Sequence, residues 1–519
     1  MNEKDDSGDG SRSRSQSESV TISPPRAISS HQVPHQRQHG FQFVNLEGAP
    51  RRDAAARKLV KSHVARHMLL KQRERTPGEC ASKGRRIHKV EGEEMDEEII
   101  PEQPIWPPTD IYTIDLGSDQ IDPFGPMPIP NRPYIQDLVR HFGSIFALSL
   151  SPLGGKIPMV AELYPVAMTD PMLFHALLSV TAAHQSCLVG RKEPSTKAIK
   201  HRGHAIHMLN GTLRSQDLNL DDVMIATVLL LAVHDVFFGD IIAIESHLQG
   251  LELMIRIRGG VRTLGMEGAL TDLLYWIDHA CAFLTGSRPH FPLIAPGSIL
   301  EKERFRLDYS LPPAVPIHHT GFGCLAAEGV ISLEFGRLLE MVIFLTNRLK
   351  DGMATSVHNR EPCRFHDTRA HIDEILHAAK DYDLSRSGEA DIQECIRLAA
   401  SIYSNMCFRD IPPASAIHSH LVDQLKLALV RSKLSSTWAG YRDVLIWVLF
   451  MGGAVTTDQD SRLWILGLLK PICDQLGLAD WGHVRESLRN FLWVDEFCEG
   501  PCKNLWMQMV HPLPLDPLS

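Results

Sequence analysis

The residues with most chemistry to offer in this 519-residue chain are 26 histidines, 62 carboxylates and 10 cysteines. His201, His204 and His207 recur every third position. On a helix that spacing drifts by about 60° per step, so the three rings cannot converge on one ion, and they read as solvated helix histidines. His318-His319 reads as a loop pair. His234-Asp235, and His247 near Glu245, place an imidazole beside a carboxylate, the minimum for general acid–base work. Both lie inside apolar helix patterns, where a hydrogen-bonded core or lining residue is the expected role. Cys498 and Cys502 are closely spaced and could begin a zinc site, but neither a second C-x-x-C nor a histidine pair accompanies them.

Other reaction signatures are missing. The sequence has no G-x-x-x-x-G-K-S/T, no G-x-S-x-G and no H-E-x-x-H. Gly321-Phe322-Gly323 follows a proline-rich loop without the flanking strand and helix of a dinucleotide cradle. The expectation is a protein that is not an enzyme and holds no metal and no cofactor.

One set of side chains is suited to another task. Residues 51–90 carry thirteen Lys and Arg against three acids, a net of +10 in a chain whose formal net is −9. Residues 91–130 follow with eleven acids and no Lys or Arg. Within 41–75, Ala56, Leu59, Val60, His63, Val64, His67 and Leu70 share one arc of a helical wheel, and cations spread over the opposite arc. The candidate contacts for nucleic acid, or for nuclear import, are Arg51, Arg52, Arg57, Lys58, Lys61, Arg66, Lys71, Arg73 and Arg75. Lys and Arg on a helix neutralise phosphates, and such binding weakens steeply with salt. Stacking aromatics and a groove-reading pattern are absent from the block, so sequence-specific readout is not indicated.

The elements around these residues divide the chain. Residues 1–40, with nine serines in the first thirty, hold too little apolar surface to order and read as a disordered tail. Residues 41–90 are the basic amphipathic arm, and 91–130 an acidic, then proline-rich linker in which Trp106, Phe124 and Ile129 are isolated apolar anchors. Residues 131–519 read as one large all-α domain of stacked helical hairpins. Asp170-Pro171, Asp221 and Asp240 supply helix starts, and Gly259-Gly260 a helix stop. Further helices are expected near 332–349, 366–380, 389–406, 413–431, 441–454, 460–476 and 482–493. The longest apolar runs, Val223–Val233 and Val444–Val455, fall short of the roughly 18 residues of a membrane span and read as buried helix. The first residues, MNEKDDSGDGSRSRS, contain no apolar run of signal type, and the cysteine usage is that of a reducing compartment, so an intracellular protein is expected.

Several short segments, in order, are similar to the fungal-specific transcription factor domain, the regulatory region usually C-terminal to a binuclear zinc cluster. They are Asp122-Pro123-Phe124; Leu138–Phe142; Asp170-Pro171 with Phe174-His175-Ala176-Leu177-Leu178; and His247-Leu248-Gln249-Gly250-Leu251 running into Arg258-Gly259-Gly260-Val261. Leu445-Ile446-Trp447 before Gly452-Gly453-Ala454, Arg462-Leu463-Trp464 and Phe491-Leu492-Trp493 complete the set, which spans about residues 120–500. Phe43-Val44-Asn45, Pro50, Ser62-His63-Val64, Arg66 and Lys71–Arg73 resemble a segment of family members that lack the cluster. Six cysteines at cluster spacing have no counterpart here, since the N-terminal part holds Cys80 alone, and neither do the family's DNA-contacting residues.

The resemblance implies a nuclear regulator of transcription, often of one metabolic pathway or gene cluster. The expected partners are DNA through the basic arm, other transcription regulators, and a second chain in a homo- or hetero-dimer; no membrane is involved. Two rival readings stand beside it: a partner regulator of a zinc-cluster factor that never touches DNA, and a small-molecule binder or enzyme with its site between helices. Trp447, Trp464 and Trp493 read most simply as core aromatics.

Overall fold

The apolar runs and caps translate directly into helices. The computed structural model describes residues 127–143, 159–215, 220–291, 316–354 and 389–511, together with Arg369, Ile372, Asp373, Leu376 and His377. The tail 1–40, the arm 41–90, Asp122-Pro123-Phe124 and most of the helix expected at 366–380 lie outside the described residues. Among the described residues every regular element is helical and none is a strand, so the all-α class holds. No single described helix is long and apolar enough to cross a membrane.

The first group of helices is α1 (Pro133–His141), a short α2 (Tyr164–Ala167), α3 (Pro171–Leu188), α4 (Thr196–Leu213), α5 (Asp222–Phe238), α6 (Ile241–Arg258) and α7 (Ala269–Thr285). The caps fall where the side chains place them. Asp170 accepts from the Leu173 amide at 2.8 Å, Asp221 from Met224 at 3.0 Å and Asp240 from Ala243 at 3.1 Å. Gly259 at φ +109° and Gly260 at φ +106° end α6, and the Gly260 amide returns to the Ile255 carbonyl at 2.8 Å.

Helix α5 is apolar all round and buried from Met224 to Phe237, the pattern of a helix surrounded on every side. It packs against α3, α6 and α7, and α3 packs on α1 and α4. The antiparallel neighbours α3–α4 and α5–α6 are the expected helical hairpins.

The second group is built the same way. It contains α8 (Gly323–Ala327), α9 (Leu333–Ala354), α10 (Glu389–Phe408), α11 (Ala416–Arg431), α12 (Leu434–Thr437), α13 (Arg442–Val455), α14 (Gln459–Gln475), α15 (Trp481–Arg489) and α16 (Asp495–Val510). Helix α13, buried from Val444 to Val455, is its centre, with α10, α11, α14, α15 and α16 around it. Gly452 and Gly453 explain how closely they approach. A Cβ on Gly452 would lie 2.8 Å from Leu425 Cδ2, and one on Gly453 would lie 2.3 Å from Leu505 Cδ2. Helix α11 also packs on α5 and α7, joining the two groups into one hydrophobic core.

Of the isolated linker anchors, Ile129 packs against this core, whereas Trp106 and Phe124 lie outside the described residues. Trp447 and Trp493 are fully buried core aromatics, and Trp464 is only partly covered. The glycines of Gly321-Phe322-Gly323 serve packing: Phe322 meets Trp447 edge-on at 5.3 Å and Phe491 at 5.0 Å, and a Cβ on Gly321 would strike the Phe491 ring. The reading of 482–493 as continuous helix is corrected. Helix α15 stops at Arg489, a turn through Asn490–Val494 buries Phe491, Leu492 and Trp493, and α16 begins anew.

Candidate functional site

Several charged and titratable side chains of the described residues are buried inside the fold. Helix α4 carries Arg202 on its inward arc with Ala198, Ala205 and Leu209. Its guanidinium meets Asp235 of α5 with both ends, Nε to Oδ1 at 2.9 Å and Nη2 to Oδ2 at 3.1 Å. From α6, His247 Nε2 lies 3.1 Å from the second carboxylate oxygen. All three side chains are nearly inaccessible, at 7%, 3% and 3% exposure for Arg202, Asp235 and His247. Burial alone would raise the Asp235 carboxyl, but the Arg202 guanidinium and then the His247 hydrogen bond prevail and hold it at about 2. The result is a charged three-helix clasp.

His234 precedes Asp235 and points to α3, with Nδ1 3.0 Å from Ser179 Oγ. The Ser179 hydroxyl donates to the Ala198 carbonyl at 3.1 Å, so it accepts from His234 Nδ1–H. In this arrangement the histidine does not take the serine proton, and both groups are buried. Burial lowers His234 to about 4, so its ring is neutral at pH 7.

Two histidine pairs extend the polar interior. His141 Nε2 and His184 Nδ1 are 3.0 Å apart between α1 and α3, and His175 Nδ1 and His201 Nδ1 are 2.8 Å apart between α3 and α4. Such a contact requires one ring to donate and the other to accept, so at least the accepting ring of each pair is neutral. Burial lowers His141 and His175 to about 4 and His201 to about 3, with like-charge repulsion assisting at His175 and His201.

The expectation of three solvated histidines is therefore corrected at one position. His201 is buried beneath Tyr134 and His175, while His204 and His207 are exposed, as the 60° drift requires. No group of three or more metal-ligating side chains occurs among the described residues.

A second polar seam joins the two helix groups. Arg409, just past α10, pairs with Asp373 and lies 5.8 Å over the Trp276 ring of α7. Arg369 donates to the Phe408 carbonyl at 3.1 Å, and burial, then Arg409, lowers its guanidinium to about 9. Asp278 of α7, fully buried, accepts the amides of His290 at 2.9 Å and Phe291 at 2.7 Å and so fixes the turn after that helix.

The residues singled out in the sequence thus separate. His234, Asp235 and His247 come together, but His247 engages Asp235 rather than nearby Glu245, and Arg202 was missed. The missed signal was an arginine on the buried arc of α4. His318 and His319 form an exposed turn. Cys498 and Cys502 are both buried, and their neighbour is Cys407, which sequence spacing could not supply. Arg51, Arg52, Arg57, Lys58, Lys61, Arg66, Lys71, Arg73 and Arg75 lie outside the described residues.

Chemically, the clasp and the seam hold charges in fixed geometry inside the fold. Their partners are supplied by the protein itself, which is the arrangement of a polar framework for a helical scaffold.

Residues 137–491, from α1 to the turn after α15, match the family model of the fungal specific transcription factor domain. No curated protein and no solved structure matches the chain. The motif residues named above have concrete places in this fold: His247 closes the clasp, Gly259-Gly260 ends α6, and Gly452-Gly453 lets α11 and α16 approach α13. With the match covering more than half of its length, the chain belongs to the fungal specific transcription factor domain family and carries that family's transcription-regulatory domain.

Proposed function

We propose that the protein works in the nucleus as a regulator of transcription, acting on one metabolic pathway or gene cluster, without catalysing a reaction. The observation that carries this reading is the family match over residues 137–491. The reading without catalysis is supported by the roles of the acid–base side chains, since Ser179, His234, Asp235 and His247 are engaged with one another and with Arg202 in the interior. In this proposal the basic arm supplies phosphate contact or nuclear import, and the helical domain supplies partner surfaces. Acidic residues 91–98 compete with DNA for the arm when no partner is present. The test is transcript profiling of a deletion strain alongside imaging of the tagged protein. A nuclear signal with a coherent set of changed transcripts is expected; a cytoplasmic protein whose loss changes no transcript set overturns the proposal.

A second reading has its own support. Apolar side chains stand exposed on α11 (Leu427, Val430), α14 (Leu463) and α16 (Met507, Val510), and the sequence has no zinc-cluster cysteines. These features suit a regulator that reaches promoters by docking on another transcription factor. Neutralising Arg57, Lys58, Lys61 and Arg66 then leaves partner recovery intact and changes localisation only. Loss of partner recovery in that variant counts against this reading.

A further inference from the structure

Three thiols meet where α16 lies against α10. Cys407 sits in the last turn of α10, and its Sγ is 3.7 Å from Sγ of Cys498, the fourth residue of α16. Cys502, one turn further along α16, is on the same helix face, and all three are fully buried. The two sulfurs belong to helices 91 positions apart in sequence, so a bond between them would fasten two separate elements. Disulfide sulfurs stand about 2.0 Å apart, and closing the remaining gap takes a side-chain rotation together with a small shift of α16.

We propose that Cys407 and Cys498 are a dithiol that peroxide converts to a disulfide, locking α16 onto α10. The balance is that of two thiols and one peroxide. One sulfur, as thiolate, attacks a peroxide oxygen; an S–O bond forms, the O–O bond breaks and, with a proton, one water leaves. The second thiol attacks the resulting sulfenic sulfur, the S–S bond forms and a second water leaves. The sulfurs lose two electrons and the peroxide gains them.

Burial keeps this pair reduced while α16 is docked, and it raises the Cys407 and Cys502 thiols well above their ordinary range. Access depends on α16 opening. Pro501 lies inside that helix and has no amide to return to Phe497, so one bond of its ladder is missing. Helix α16 also lies beyond the stretch that matches the family model. Peroxide therefore traps the helix in its docked position after it breathes, and thiol reductants release it. This device is independent of whether the arm touches DNA, and its test does not read transcription.

The experiment treats the full-length protein with hydrogen peroxide under native conditions, until the exposed Cys324 thiol is fully oxidised. The protein is then unfolded in an alkylating agent and digested without reductant for mass spectrometry. The expected product links the Cys407 and Cys498 peptides, disappears with dithiothreitol, persists in Cys502→Ser and is absent from Cys407→Ser. Hydrogen exchange in α16 slows by about tenfold or more in the oxidised protein, because opening is now restrained by a covalent tie. Full alkylation of Cys407 and Cys498 after treatment overturns the proposal, as does a link from either of them to another cysteine. The wild-type result decides the matter even if Cys407→Ser folds poorly, and Cys407→Ala is the better-tolerated control.

Discussion

Replacing Asp235 by Asn keeps the side-chain shape and removes the charge at the centre of the clasp. The displacement of this carboxyl from 3.8 to about 2 corresponds to roughly 2.5 kcal/mol in favour of the charged form. Asparagine loses that amount and adds a further cost, because its amide NH2 or a single carbonyl must face a guanidinium that formerly had two acceptors. Breaking a buried pair from one side costs about 3–5 kcal/mol in general, and the inaccessibility of Arg202 and Asp235 places this pair in that class. Unfolding entropy near 2.1 cal/mol/K per residue, taken over residues 127–511, gives about 0.8 kcal/mol/K, so the midpoint should fall by about 4–6 °C. The assay is thermal melting followed by circular dichroism at 222 nm, with urea titration beside it. Combining Asp235→Leu with Arg202→Met removes both charges and should be less destabilising than Asp235→Asn, the remaining cost of about 1–3 kcal/mol coming from His247, which loses Asp235 as its partner. A fall under about 1 °C for Asp235→Asn, or a double variant no better than the single one, would refute the clasp as a stabilising unit.

The pH dependence follows from the buried histidines. His141, His234 and His418 are each lowered by burial to about 4, so the unfolded chain binds their protons near 6.5 and the fold only near 4. Stability is fully present above about pH 6.5 and is lost as pH falls towards 4. At pH 5.5 the three together should cost about 4 kcal/mol relative to pH 8, and urea midpoints that stay constant between pH 8 and 5.5 would contradict this. Gly453→Ala forces Leu505 to move and should destabilise by about 1–2 kcal/mol despite the better helix propensity of alanine, whereas a more stable variant would contradict the close approach of α16. Asp170→Ala removes the cap of α3 and should cost about 1 kcal/mol in the same titration; a change under about 0.3 kcal/mol would show the cap to be dispensable.

Much of the fold was legible because its signals are local. The continuous apolar runs became α5 and α13, and Asp170, Asp221, Asp240 and Gly259-Gly260 set helix ends through bonds spanning only three to five residues. The break after Arg489 was hidden because Phe491, Leu492 and Trp493 continue an apolar pattern that a turn can bury as well as a helix. The polar interior was legible only in part. His234-Asp235 stood out by adjacency, but the partner of Asp235 is 33 positions earlier, and nothing local distinguishes Arg202 from a solvated arginine except its place on the buried arc of α4. The same applies to Cys407 and Cys498, which are brought together by the packing of α10 on α16. The arm was legible as charge and an amphipathic pattern, and its nine candidate contacts lie outside the described residues.

The central claim, that this chain regulates transcription at chromatin, is tested most directly by mapping chromatin occupancy of the tagged protein. Wild type is compared with a variant whose Lys and Arg in 51–75 are neutralised and which is kept nuclear by a foreign import signal. The account predicts focused occupancy for wild type and its loss in the variant; occupancy kept by the variant transfers targeting to a partner. Absence of focused occupancy in both would contradict the account.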